Sequence, residues 1–284
     1  MSKKLSQDIA FWTFRILGWL VVGILLWILG FIIYNGIGVI NWEFISQGPR
    51  DGMLKGGIFP AILGTFCLIV GSMIIAFPLG VMSAIYTNEY VRDGKISRFI
   101  RMMTNNLGSI PSIIFGLFGM ALFVRYLGWK GSILAGSFTL GLLVLPLVIR
   151  TTEEALRMVP DALRVGSYAL GASKLQTIRY VILPTAFPNV ITGLILSVGR
   201  VSGETAPILF TGAAYFLANL PSSIFDKFMA LPYHLYVIST SGTNLDAARP
   251  IAYGTALVLI TLVLIINFTA SFIRKYFSKK HGAH

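Results

Sequence analysis

The chain has 284 residues, 55% of them apolar and only 12% charged, with a net charge of +12 and a mean hydropathy of +0.77. A soluble domain carries about 25% charged residues, so the composition points away from a water-soluble globule and towards lipid as the solvent. The positive charge does not indicate nucleic acid, because Lys and Arg fill the gaps between apolar blocks, where such residues orient a membrane protein and touch anionic lipid.

Apolar runs of roughly 18 residues or more are long enough to cross a bilayer as helices. Six such spans are expected: Phe11–Tyr34, Gly57–Tyr86, Leu107–Tyr126, Ser132–Ile149, Thr185–Phe210 and Pro250–Ile273. The first is too long for a signal peptide and no small-residue cleavage site follows it. The second places Gly57, Gly64, Gly71 and Pro78 seven residues apart, close to two helical turns, so small residues share one face and invite close helix packing. Pro78 is also a candidate bend. Cys67, the single cysteine, lies inside this span and cannot form a metal cage; His234, His281 and His284 show no ligand spacing.

Between the fourth and fifth spans runs EEALRMVPDALRVGSYALGASKLQTIRYVILP, Glu153 to Pro184. Pro160 suits a helix first turn, and Asp161 follows where an acid complements the helix dipole. Gly171 is a natural stop. Ser173 and Gln176 have capping-box spacing for a second short helix, with Leu175, Ile178 and Ile182 on one face. Pro184 closes it and opens the fifth span. Two short helices joined at a glycine fit an amphipathic segment resting on lipid headgroups and, equally, a docking knob for a partner.

Arg200 and Glu204 stand in GRVSGETAP, inside the otherwise apolar fifth span. A mid-membrane charge costs at least about 2.5–3.5 kcal/mol on insertion scales, and is tolerated where it faces a cavity or a partner. Spaced by four, the two can pair along one helix face. A structural ion pair is one reading; a pathway residue is the other. Arginine suits a phosphate-like anion through bidentate hydrogen bonds, and Ser202, Thr205 and Thr211 offer hydroxyl donors nearby. The segment 212–249 is long for a connection. Its Leu231, Pro232, Tyr233, Leu235, Tyr236 and Val237 fit an interfacial stretch and, equally, a short re-entrant piece.

Basic residues sort the loops. Lys3, Lys4, Arg92, Lys95, Arg98, Arg101, Arg150, Arg157, Arg164, Lys174, Arg179, Arg274, Lys275, Lys279 and Lys280 fall on one side. Arg50, Lys55, Arg125, Lys130, Lys227 and Arg249 fall on the other, while Arg15 and Arg200 lie within spans. The bias puts both termini in the cytoplasm.

The loop also resembles the cytoplasmic motif of binding-protein-dependent ABC importer permeases: EAA, three residues, Gly, nine residues, Ile-x-Leu-Pro. Gly171 and Leu183-Pro184 match it and Val181 takes the isoleucine position. Val165, Gly166 and Ser167 fall on the first three positions, so the motif's glutamate is replaced by Val165. That departure bears on one polar contact with the ATPase and leaves the shape of the knob. The resemblance covers roughly Gly57 to Ile273. Arg200 with Gly203-Glu204-Thr205-Ala206-Pro207, and VIRTTEEALRMVPDALR from Val148 to Arg164, resemble the phosphate-specific permeases, more narrowly the second of their two paralogous subunits.

What this resemblance implies is an all-α membrane protein of about six transmembrane helices with the type I ABC importer permease fold, in the inner membrane. Residues 1–56 would form an N-terminal tail, first helix and outer loop. Residues 57–273 would be the permease core with coupling loop 150–184, and 274–284 a basic tail. The resemblance implies Arg200, Glu204, Arg150 and Thr205 along the substrate pathway, although Arg150 by itself reads as an ordinary basic flank. It implies Leu170, Gly171, Ala172, Ser173 and Ile178 at the ATPase contact. The implied partners are a homologous permease, two copies of an ATPase, a soluble phosphate-binding protein and membrane lipid. No G-x-x-x-x-G-K-[ST] phosphate loop occurs here, so ATP and magnesium belong to the ATPase, and this chain is expected to carry no cofactor and no catalytic residue. The alternatives are a stand-alone anion channel or carrier, a phosphate-status sensor, and a membrane enzyme, for which no His, Asp or Ser cluster is evident.

Overall fold

A computed structural model describes residues 3–53, 55–91, 94–217, 219–241 and 245–280. Arg92, His281 and His284 lie outside the described residues, as do the side chains of Lys3, Lys4, Lys279 and Lys280.

The chain is a helical bundle. Helix α1 (Lys3–Gly36) leads to a short helix α2 (Trp42–Ser46) and a two-residue hairpin pair, β1 (Pro49–Arg50) and β2 (Lys55–Gly56). Helix α3 (Phe59–Ile85) ends in a π turn, Tyr86–Tyr90. Then come α4 (Lys95–Gly108), α5 (Ser112–Gly119) with a π-helical extension Met120–Tyr126, and α6 (Ile133–Arg157). The loop holds α7 (Asp161–Ala169) and α8 (Lys174–Thr177), and a π turn Ile178–Ile182 passes into α9 (Leu183–Gly203). Helices α10 (Ala206–Thr211), α11 (Leu231–Thr240) and α12 (Leu245–Lys280) follow, the last ending the described residues. Among the described residues, five helices are long and apolar enough to cross a membrane, and α4 with α5 makes a sixth if counted as one broken span.

The packing core is the parallel pair α3 and α6. Without water to drive burial between helices in lipid, close approach of small residues decides such contacts. Gly71 meets the Ser137 side chain and Gly80 meets Val148; a Cβ at either would overlap them. Leu68, Ile69 and Met73 from α3, Leu140, Val144 and Val148 from α6, and Val198 and Val201 from α9 fill one cluster. Helix α1 instead runs outside this core along α12: Phe31 packs edge-on to Tyr253 at 5.6 Å, and no residue of its most apolar window is buried.

Three expectations are corrected. The third span does not begin at Leu107: residues to Gly108 belong to α4, and the chain turns by 97° before Ser112. Pro111 causes this, because it restricts the backbone of Ile110 before it and starts the next helix. The crossing piece, 112–126, spans only roughly 22 Å at 1.5 Å per residue. The fifth span is not one helix over 185–210 but is broken at Glu204 and Thr205. In the loop, Ile178 and Ile182 are buried at 3% and 0% exposure while Leu175 is exposed at 66%; α8 lasts one turn, and Leu175 points outward from its tip.

Within the 212–249 segment, α11 packs into the bundle, whereas Tyr215, Phe216, Leu220, Ile224 and Phe225 before it are exposed. Leu231, Pro232, His234, Val237 and Ile238 of α11 are buried, and the Leu231 N–H donates to Thr65 Oγ1 of α3 at 2.8 Å.

Candidate functional site

The break in the fifth span follows from Pro207. Proline has no N–H to donate, and its ring would clash with the carbonyl four residues back, at Gly203. Helix α9 therefore stops at Gly203, Glu204 takes an extended backbone (φ −74°, ψ 121°), and α10 starts afresh. At the break Arg200 and Glu204 pair: Arg200 Nε lies 3.8 Å from Glu204 Oε1, with side-chain exposures of 36% and 17%. Thr205, half-buried, has no hydrogen-bond partner for its hydroxyl among the described residues. Ser202 and Thr211 do not join it. Their hydroxyls are buried and donate to the carbonyls of Gly199 at 2.8 Å and Pro207 at 3.1 Å.

Arg150 lies apart from this group, on α6. Thr151 next to it packs on Gly193 of the antiparallel α9, and Arg200 is seven residues further along α9, roughly 10 Å in axial rise. Arg150 pairs with Glu154 at 3.3 Å on an open face. Both line a cavity of 230 Å³ with Arg101, Thr104, Glu153 and Arg157. The two arginines thus occupy neighbouring helices at different depths.

The loop 158–182 forms a knob. Helix α7 ends with Gly171 at φ +80°, a left-handed turn that favours glycine. Ser173 and Gln176 then form the reciprocal capping box. Leu170 is 90% exposed at the tip, with Gly171 and Ser173 exposed beside it and Ala172 half-buried. Ile178 is different: it packs at the root against Leu156, Val159 and Ile182, so it supports the knob from beneath and presents no surface.

The knob's root holds buried charges, Glu89 and Glu153 among them, whose pairing no local motif marks. Arg164 is buried; its Nη2 lies 3.0 Å from Glu89 Oε1 and donates to the Leu156 carbonyl at 2.8 Å, while Nη1 donates to the Val159 carbonyl at 2.6 Å. Glu153 is likewise buried and accepts from Thr87, with Arg101 at 3.4 Å. Glu89 and Arg164 are 75 residues apart in sequence, and nothing local pairs them.

Comparison with known proteins places the chain among membrane components of transport systems. Residues 76–281 match the family model described as binding-protein-dependent transport system inner membrane component. The chain is 34% identical, over its full length and that of the relative, to a probable ABC transporter permease protein, YqgI, of Bacillus subtilis. It is 37% identical to phosphate transport system permease protein PstA 1 of Mycobacterium tuberculosis, over 88% of this chain and 82% of that protein. Among solved structures, a bacterial alginate ABC transporter in complex with a pentasaccharide-bound periplasmic protein shares the fold, with a TM-score of 0.67 at 13% identity, covering 98% of each chain. The MetNI methionine ABC transporter, in a structure titled as inward facing, aligns with a TM-score of 0.58 at 22% identity, over 78% of this chain and 94% of that one.

Proposed function

Since the chain belongs to the binding-protein-dependent transport system inner membrane component family, we propose that it is the permease subunit of an ATP-driven importer of inorganic phosphate, with the type I importer fold. The observation that carries the substrate is the Arg200–Glu204 pair at the break in the fifth span. Relatives that are phosphate permeases by name support it.

The pair performs two tasks. The Arg200 guanidinium offers forked N–H donors that fit phosphate oxygens. Glu204 holds that fork in place and repels the arriving anion, so that its stay is short; conduction needs sites that release as readily as they bind. Thr205 adds a hydroxyl at the same level, and Arg150, nearer the basic end, would receive the anion next. The pathway is completed by a homologous permease facing this one.

On this reading both termini and the knob lie in the cytoplasm, and residues 57–273 form the permease core. One of two ATPase copies docks on Leu170, Gly171, Ala172 and Ser173. A soluble phosphate-binding protein delivers substrate to the outer face. ATP and magnesium bind the ATPase, and the chemistry on this chain is confined to holding and passing the anion. ATP binding favours the outward-open state and hydrolysis restores the inward one.

Uptake of radiolabelled phosphate into proteoliposomes holding the chain with its partner permease, ATPase and binding protein tests this. ATP-dependent uptake that sulfate does not compete for is expected. Uptake that ignores ATP would favour a channel or carrier. No uptake by a verified complex would overturn phosphate as the substrate.

A further inference from the structure

The π turn Tyr86–Tyr90 at the end of α3 touches the knob on both of its limbs. Before Gly171, Arg164 of α7 reaches Glu89, at 3.0 Å and with side-chain exposures of 7% and 4%. After Gly171, the Lys174 ammonium sits 4.6 Å from the centre of the Tyr90 ring. The same turn holds α6 through Thr87 and Glu153, and Glu153 in turn holds Arg101 of α4 at 3.4 Å. Five consecutive residues thus join the loop, α4 and α6 to the end of α3. Single π turns inside helices concentrate at functional positions.

Along the chain, the knob connects only to α6 and α9. Through Glu89 it gains a third connection, to α3, the helix packed along α6 through the middle of the bundle. Arg164 is fixed on its other side by the carbonyls of Leu156 and Val159, so a displacement of α7 cannot be absorbed by the arginine swinging free. Buried ion pairs are poor stabilisers: well-packed apolar side chains of similar volume hold as well or better. What the pair adds is a fixed, directional link between two elements.

We propose that the Glu89–Arg164 ion pair is a strut that transmits motion of the coupling loop to α3, with Glu89 and Arg164 as positioning residues for transport. The proposal rests on the importer reading above. Neither residue faces the Arg200–Glu204 pair or the exposed tip of the knob, so substrate binding and ATPase docking are left in place when the strut is cut.

The test is the number of phosphate ions imported per ATP hydrolysed by the complete reconstituted complex, with subunit association measured alongside. Glu89→Ala and Glu89→Gln are expected to keep the ATPase bound and hydrolysing while the ratio falls by about tenfold or more, the span of an ordinary coupling between two sites. Glu89→Asp, which keeps the charge, is expected to recover most of the ratio. A purely structural role lowers uptake and hydrolysis together and leaves the ratio alone; that result, or failure of all three variants to assemble, would overturn the strut. Absence of ATP-driven uptake in the unmodified complex would instead overturn the importer reading, and the strut with it.

Discussion

The Arg200 guanidinium and the Glu204 carboxylate stand 3.8 Å apart at the point where α9 stops, so Arg200 on the last turn of the helix pairs with the extended residue that follows it. A pair this open contributes at most about 1 kcal/mol to folding. Glu204→Gln is therefore expected to shift the thermal midpoint by no more than a few degrees. Its effect on transport is larger: with the repelling charge gone, the maximal rate should fall about tenfold and the half-saturating phosphate concentration should fall with it. Uptake measured against phosphate concentration reads both. Unchanged values would reduce the pair to a helix tie.

Gly171 has φ +80° and nothing within 4 Å of where a Cβ would stand, so backbone strain alone decides what a substitution does there. Gly171→Val imposes a β-branched residue on a left-handed turn, at about 1–3 kcal/mol. The expected result is a folded chain that no longer captures the ATPase in a pull-down. Gly171→Asn, which tolerates that conformation, should retain most of the capture.

Gly64 is constrained by space. A Cβ at Gly64 would overlap the Met229 carbonyl oxygen, which is backbone and cannot move aside alone. Gly64→Ala should destabilise the protein by about 1–3 kcal/mol or more, seen as a lower thermal midpoint in detergent. Gly23→Ala, in α1 with nothing within 4 Å, serves as the control and should be neutral.

His234 sits in α11, 2% exposed and with both ring nitrogens lacking a partner among the described residues. Burial lowers its pKa from 6.5 to about 4. The unfolded chain then takes up a proton between pH 6.5 and 4 that the folded chain refuses, so stability falls as pH falls through that window and levels off below it. The loss approaches about 3 kcal/mol. Thermal unfolding from pH 7 to 4 should show the decline, and His234→Leu should flatten it.

The spans were legible because apolar blocks of membrane length have few other uses, and the knob because proline, glycine and a capping box carry their geometry in local sequence. Ser173 and Gln176 sit three apart and form the box seen in the structure. What escaped depended on contacts between distant segments or on subtle breaks. The bend before Ser112 was hidden because Leu107 and Ile110 extend the apolar count across it. Pro207 marked the break at Glu204, yet the apolar residues after it made the helix look continuous. Ser202 and Thr211 offered donors on paper, but in helices a hydroxyl readily bonds the carbonyl three or four residues back. Glu89 and Arg164 pair only because α3 and the loop meet in space.

The initial rate of ATP-driven phosphate uptake with Arg200→Gln, beside Arg200→Lys and the unmodified chain in verified complexes, bears most directly on Arg200 as the residue that passes phosphate. Arg200→Gln removes the charge and the fork, and the rate should fall about tenfold or more, as for loss of a hydrogen bond to a charged group. Arg200→Lys keeps the charge without the fork and should fall in between. Import at the unmodified rate by Arg200→Gln would contradict a phosphate pathway through this residue.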